Sequence, residues 1–373
     1  MHSPRLLELA VLLLYFQSTA ASSGFNPRAY QKSIATCQAT NRAGEQETPV
    51  DINLRYVDIN PVAKTSLILV HGWPSLWSTW SNQIQEFKED YHLIVPDLRG
   101  FAESGHPGDV RSSGTIPDMV GDLACILQHA GISSAVCVGH DWGSQVCYEA
   151  ARMRPDLFRG VVGIAIPYLP SASDFVPTEH LVVALPKLSY QLFFNKNTLE
   201  AVAELEKDVR RTIRATLRTV ASPPPDEFLK SQLSFLAGWD GVSEIPPVPF
   251  FTPEEEDYFI EQFSIQGFKH SAFRCNFIRK RQNRRASWSF ASTQGNHTIS
   301  QPVLSVLPKN DPVADWALAS KLLKSTDFLP NSKTEFMDGA HWCHIEYPAE
   351  FNALMRTWLK ESIDGKIAGH DEL

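Results

Sequence analysis

Val138-Gly139-His140-Asp141-Trp142-Gly143-Ser144 is the stretch on which the reading of this chain turns. It follows the apolar run Ala135-Val136-Cys137 and leads into Gln145-Val146-Cys147-Tyr148-Glu149-Ala150-Ala151, which has helical spacing. The expectation is strand, sharp turn, helix. Gly139 and Gly143 stand two positions either side of Asp141. That is the spacing of a nucleophile elbow, a strained turn that pushes one side chain out over the end of a sheet. Ser is the usual occupant, and Ser attacks an acyl carbon. A carboxylate attacks an alkyl carbon and becomes an ester, so the central residue narrows the chemistry.

Outward from the elbow, short apolar runs alternate with helical stretches. This is the pattern of an α/β protein with a mostly parallel, doubly wound sheet. Strands are expected at Ser66 to Val70, His92 to Pro96, Ala135 to Val138, Val161 to Ile166, Pro302 to Leu307 and Thr334 to Met337. Helices are expected at Ser81 to Phe87, Ile116 to His129, Ser144 to Met153, Val313 to Leu323 and Ala349 to Glu361. Between Tyr168 and Ser300 the pattern is mostly helical, as over Leu199 to Leu217 and Glu254 to Phe263. A helical lid at 168–300 is therefore expected, inserted between sheet segments at 24–167 and 301–367. In such sheets ligands bind beyond the carboxyl ends of the strands, where a lid closes over them.

Three further stretches follow strands and complete a constellation with Asp141. His71-Gly72-Trp73-Pro74 comes directly after Leu67-Ile68-Leu69-Val70. The backbone N–H groups of Trp73 and Trp142 are the expected oxyanion donors. Lys309-Asn310-Asp311-Pro312 follows Val303-Leu304-Ser305-Val306-Leu307, and Asp338-Gly339-Ala340-His341-Trp342 follows Phe336-Met337. Nucleophile, acid, histidine is the chain order of a hydrolytic triad on this architecture. His341 is the expected base toward water, and Asp311 fixes its tautomer. Asp338 is too near His341 in sequence and reads as a turn residue.

These pieces, together with Pro96-Asp97-Leu98-Arg99-Gly100-Phe101-Ala102-Glu103-Ser104, resemble the α/β-hydrolase-fold epoxide hydrolases of the soluble type, from about Gly24 to Ile367. The resemblance implies the α/β-hydrolase fold and a two-step reaction. Asp141 opens the epoxide by attack on carbon, and the His341–Asp311 pair drives water onto the resulting ester to release a vicinal diol. It implies no metal and no organic cofactor.

Family members hold the epoxide oxygen with two lid tyrosines. The first maps onto Tyr190 in Leu188-Ser189-Tyr190-Gln191-Leu192. Counting from Ser271-Ala272-Phe273-Arg274, the second falls on Lys280, where this chain departs from the family. Three readings stand: Tyr190 acts alone, Lys280 donates as an ammonium, or Tyr258 or another group reaches in. Most lysines are solvated, which favours Tyr190 alone or with a non-homologous partner. The basic cluster Arg279, Lys280, Arg281, Arg284 and Arg285 reads first as a solvated helix face, with a substrate role as its rival.

Two other functions use the same frame. Haloalkane dehalogenation needs the same Asp, His and water plus halide donors, one of which the Trp142 ring would supply. The second halide donor is often an Asn after His-Gly or a lid Trp, but position 73 is Trp and the early lid lacks an obvious Trp. Tyr190 suits an epoxide oxygen better than a halide. A non-catalytic ligand-binding protein is the other rival, since a fold alone does not prove activity. A Ser esterase is disfavoured because no Gly-x-Ser-x-Gly occurs.

The chain has 373 residues, room for one large α/β domain with an insertion. A net charge of -8 argues against a general nucleic-acid surface. Arg5, the apolar run Leu6 to Phe16 and the small residues after it read as a signal peptide at 1–20. The ending His370-Asp371-Glu372-Leu373 reads as a retention signal, so the expected location is the endoplasmic reticulum lumen and an expected partner is the retention receptor. Among the cysteines, Cys125, Cys137 and Cys147 lie on apolar faces and are expected to be buried free thiols. Asn296-His297-Thr298 is a glycosylation sequon. The many lid aromatics point to a bulky apolar epoxide, which is compatible with membrane contact but does not require it. The HDEL-type ending tilts the expected role toward fungal polyketide or terpenoid biosynthesis.

Overall fold

Runs that are apolar at every position become the middle of the sheet. The computed structural model describes residues 24–42, 46–108, 114–271 and 283–365. The expected signal peptide, the retention signal, Lys280 and Cys275 lie outside the described residues. The eight strands are β1 (Lys32–Asn41), β2 (Thr48–Ile59), β3 (Ser66–Val70), β4 (His92–Pro96), β5 (Ala135–His140), β6 (Phe158–Ile164), β7 (Val303–Pro308) and β8 (Ser332–Met337). Their order in the sheet is β1-β2-β4-β3-β5-β6-β7-β8. β1 and β2 run antiparallel, and the strands from β4 to β8 are mutually parallel.

Every residue of β3, β4, β5 and β7 is buried, as expected of parallel strands covered on both faces. Ile68 and Val70 face one core with the helices Ile116–His129 and Trp142–Met153 and the lid, while Leu67 and Leu69 face a second with Trp77, Trp358 and Met355. The α/β-hydrolase fold expected from the elbow is therefore the fold observed.

Two differences have local causes. The hairpin β1–β2 does not stand out as an apolar run, because only one face of it is buried. In β1 that face is the small residues Ala35, Cys37 and Ala39. In the lid, the stretch Leu199 to Leu217 is not one helix. It breaks at Asp208, whose extended backbone (φ -150) ends the helix Thr198–Lys207 and whose carboxylate caps the next one, Val209–Thr216, by accepting from the Arg211 N–H at 2.9 Å.

The cysteine expectation is corrected. Cys125 is bonded to Cys37, tying the helix Ile116–His129 to β1, and Cys137 is bonded to Cys147. Apolar faces were a fair guide to burial but not to pairing. β5 and the helix after it are the two arms of the elbow and pack on each other, which brings Cys137 and Cys147 to a Cα separation of 5.3 Å. Cys343 is the free cysteine among the described residues.

The loop after β4 locks the base of the site. Arg99 is buried against Asp122 in a two-pronged ion pair, and its Nη2 also donates to the Asp118 carbonyl at 3.2 Å. Both side chains are 2% exposed. Removing one partner of such a pair strands the other charge in the core. Arg99→Leu is expected to cost about 3–5 kcal/mol, read as a fall in the urea midpoint. A change within about 0.5 kcal/mol, the range of ordinary surface substitutions, would mean that Asp122 finds another partner.

Candidate active site

The elbow is built by two close approaches. A Cβ on Gly139 would meet the Gly143 carbonyl oxygen at 2.2 Å, and a Cβ on Gly143 would meet the Val70 carbonyl oxygen at 2.2 Å. Only hydrogen fits at either place, so the spacing seen in the sequence is a packing requirement. Between them Asp141 adopts φ 56 and ψ -125, a strained backbone for a residue with a side chain. The turn aims its carboxylate across the end of β3. Gly72 leaves that approach open, since a Cβ there would meet Asp141 Oδ1 at 2.5 Å.

The loop after β3 supplies a donor. The Trp73 backbone N–H donates to Asp141 Oδ1 at 3.0 Å. His71 holds this loop down: its Nε2 accepts from the Leu98 N–H at 3.0 Å, so Nδ1 carries the proton and donates to the Gly72 carbonyl at 2.9 Å. Trp142 is the first residue of the helix after the elbow and lines the same cavity.

His341 approaches the other carboxylate oxygen. Its Nε2 lies 3.3 Å from Asp141 Oδ2, and its Nδ1 lies 2.7 Å from Asp311 Oδ2. The side chain of Asp311 is fully buried and also accepts from the Val313 N–H at 2.8 Å and from Trp316 Nε1 at 2.6 Å. Asp338 lies apart from this chain of contacts, in an exposed ion pair with Lys309. The three residues expected to form a triad come from separate loops and are brought into one line: Asp141, His341, Asp311.

The electrostatics follow from that line. Burial opposes ionisation of Asp141, but the hydrogen bond and charge of His341, with the Trp73 N–H, hold its carboxyl below the ordinary value. Burial likewise opposes a charged His341, but Asp311 and Asp141 outweigh it and raise the imidazole to about 10. At rest the pair is carboxylate and imidazolium. His140, which burial pulls down to about 3, stays neutral and donates from Nε2 to the His341 carbonyl at 2.9 Å. Neither His140 nor Trp316 was singled out in the sequence; His140 was in plain view beside Asp141.

Above the carboxylate is a cavity of about 280 Å³, lined among others by Trp73, Tyr190, Phe228, Phe235, Leu185 and Val313. Tyr190 is 9% exposed, its ring edge-on to Phe194 and Phe235, and its hydroxyl accepts from Gln191 Nε2 at 3.5 Å. Tyr258 does not reach the cavity. It accepts from Trp77 Nε1 at 2.9 Å and belongs to the core on the other face of the sheet.

A protein-family model described as the alpha/beta hydrolase fold matches residues 65–348. The chain belongs to the alpha/beta hydrolase fold family. Within it, this hydrolase-fold chain is 28% identical over 328 residues to bifunctional epoxide hydrolase 2 of Rattus norvegicus, covering 85% of this chain and 57% of that protein. The chain spans about half the length of that relative and of its Sus scrofa counterpart, of which 53% is covered. It is 29% identical to epoxide hydrolase A of Mycobacterium tuberculosis, covering 83% of this chain and 94% of that one. Among solved structures, epoxide hydrolase A from Mycobacterium thermoresistibile superposes with a TM-score of 0.71 at 25% identity, covering 88% of this chain and 98% of that one.

Proposed function

We propose that this chain is an epoxide hydrolase that opens a bulky apolar epoxide to a vicinal diol through an alkyl ester on Asp141. One observation carries the reading. The two oxygens of Asp141 are engaged differently inside an apolar cavity: Oδ1 by the Trp73 N–H, Oδ2 by His341. Oδ2 attacks the epoxide carbon, and Oδ1 becomes the ester carbonyl in the oxyanion hole. Tyr190 donates to the departing alkoxide. Water, deprotonated by His341, then adds to the ester carbon, and the Trp73 and Trp142 N–H groups hold the charge that develops on Oδ1. The bond between the ester carbon and Oδ2 then breaks, the His341 imidazolium returns its proton to Oδ2, and the diol leaves with Oδ2 as one of its two oxygens. The names of the relatives support the same reaction class.

A single turnover with excess enzyme in heavy-oxygen water tests the scheme. The first diol is expected to be unlabelled, because its new oxygen comes from Asp141, and the label is expected in Asp141. Label in the first diol would mean direct attack by water. Chloride release from haloalkanes without diol formation from epoxides would assign the dehalogenase reaction instead. Binding of an epoxide without chemistry would assign a ligand-binding protein.

Tyr190→Phe is expected to slow formation of the ester about a hundredfold while leaving its hydrolysis little changed. Rapid-quench mass spectrometry separates the two steps. An unchanged first step would put the acid elsewhere, with Lys280 the next position to test.

The same proposal puts the enzyme in the endoplasmic reticulum lumen, held by the retention receptor through His370, Asp371, Glu372 and Leu373. Two disulfides and an exposed Asn296 in the sequon suit an oxidising compartment. Fungal polyketide or terpenoid biosynthesis is the proposed setting.

A further inference from the structure

Among the described residues, one cation in the cavity wall forms no ion pair with a carboxylate. Arg284, in the helix Asn283–Gln294, lines the cavity that holds Asp141 and His341. Its Nη1 donates to the Val176 carbonyl at 2.6 Å and to Thr178 Oγ1 at 3.4 Å, and its guanidinium stands 4.9 Å from the centre of the Phe175 ring. All three partners are neutral. Among the described residues Arg284 forms no ion pair, and its Nε and Nη2 meet no acceptor. The neighbouring sequence offers no counterion either, since no Asp or Glu occurs between Glu261 and Asp311.

The surroundings make this a held group and not a loose one. Trp288, one turn further along the helix, donates from Nε1 to the Ser173 carbonyl at 3.1 Å, and its ring packs on Phe175 at 5.9 Å. Phe175, Arg284, Ser287 and Trp288 thus form one stretch of cavity wall. On the same wall Glu149 is paired with Arg152 and Asp174 is exposed, and Glu179, whose charge acts on Arg284, is exposed as well. Burial draws the Arg284 pKa down to about 10, opposed by the charge of Glu179. A guanidinium that is partly dehydrated yet unpaired gains from an anion that brings its own oxygens.

We propose that Arg284 and this wall form an anion subsite, and that the epoxide taken by this chain carries a carboxylate on its apolar body. The inference rests on the epoxide-hydrolase reading for the reacting end of the substrate and on Arg284 for the other. The planar guanidinium offers Nε and Nη2 as a fork, the geometry that takes a carboxylate two-pronged. The apolar lining between the two ends selects a hydrocarbon spacer.

The test uses the full chain and a homologous series of terminal epoxy-alkanoic acids, each beside its methyl ester. At one spacer length the acid is expected to show a kcat/KM about tenfold or more above its ester, mostly in KM. Arg284→Gln is expected to erase that preference, and Arg284→Lys to retain part of it, since the charge persists without the fork. Absence of acid preference at every length would overturn the subsite while leaving the hydrolase intact. So would an Arg284→Gln variant that loses acid and ester turnover equally, because a residue that only braces Val176 and Thr178 would act on both. If no epoxide is turned over, equilibrium dialysis of the saturated acids and their methyl esters decides. Tighter binding of the acid by the wild type but not by Arg284→Gln supports the subsite, and equal binding overturns it.

Discussion

Turnover by an Asp141→Asn variant is expected to fall by on the order of 10^4-fold or more, with the fold retained. A neutral amide does not attack an alkyl carbon, and among the described residues no other carboxylate stands against the Trp73 N–H. Asn tolerates positive φ better than most residues, so the strained turn at φ 56 survives the change. The same variant reports on the second step. An amide at position 141 is uncharged, as the ester is, so its effect on His341 mimics that of the intermediate. In the resting protein burial lowers the His341 pKa, but Asp311 and Asp141 together raise it to about 10. An imidazolium is no base. Alkylation removes the charge of Asp141 and with it part of what holds the proton. His341 is therefore expected to titrate well below 10 in the variant, as seen by imidazole proton NMR. A value unchanged from the wild type would sink this coupling between the steps.

The linkage to stability has a definite sign. The raised pKa of His341 contributes stability that is complete below its ordinary value of 6.5 and is lost as pH rises through about 10. The depressed pKa of Asp141 contributes stability present above 3.8 and lost as pH falls through its lower folded value. In Asp141→Asn the alkaline loss moves to lower pH and the acid contribution of position 141 disappears. Thermal midpoints measured across both windows check each half separately.

What was legible in the chain followed from crowding. Gly139 and Gly143 are small because backbone carbonyls stand 2.2 Å from where a Cβ would be, and β3 is apolar throughout because both its faces are covered. Such positions tolerate one kind of residue, so their pattern is readable. The hairpin β1–β2 was not legible, because its buried face is made of small residues that also occur in loops. The disulfides were not legible, because pairing depends on which surfaces meet and not on how apolar each one is. Arg284 was read first as part of a solvated basic face. What sets it apart from exposed Arg285 is one helical position, which turns its guanidinium toward Phe175 and the cavity. Asp311 was legible as an acid after a strand, but its support by Trp316 came from the short helix beyond it.

His341→Ala is expected to separate the two steps of the proposed reaction. The first step needs an ionised Asp141 and an acid at the epoxide oxygen, and neither is His341. The second needs a base at water, and general-base assistance of this kind is worth roughly 10^2–10^4-fold. The variant is expected to consume about one equivalent of epoxide and stop, with the intact mass raised by the mass of the epoxide. Peptide mapping is expected to put the adduct on Asp141. The substitution also removes the cation that favours ionised Asp141, leaving burial as the largest remaining influence, which pushes the carboxyl up. Ester formation in the variant is therefore expected to accelerate as pH rises through that higher Asp141 pKa, whereas the wild type stays competent to lower pH. Decay of the ester in the wild type is expected to rise with pH until His341 has lost its proton, at a pH below the resting value of about 10. Steady diol formation by His341→Ala without an adduct would show that water attacks the epoxide directly. In that case Asp141 and His341 would be a base and its partner rather than a nucleophile and a base.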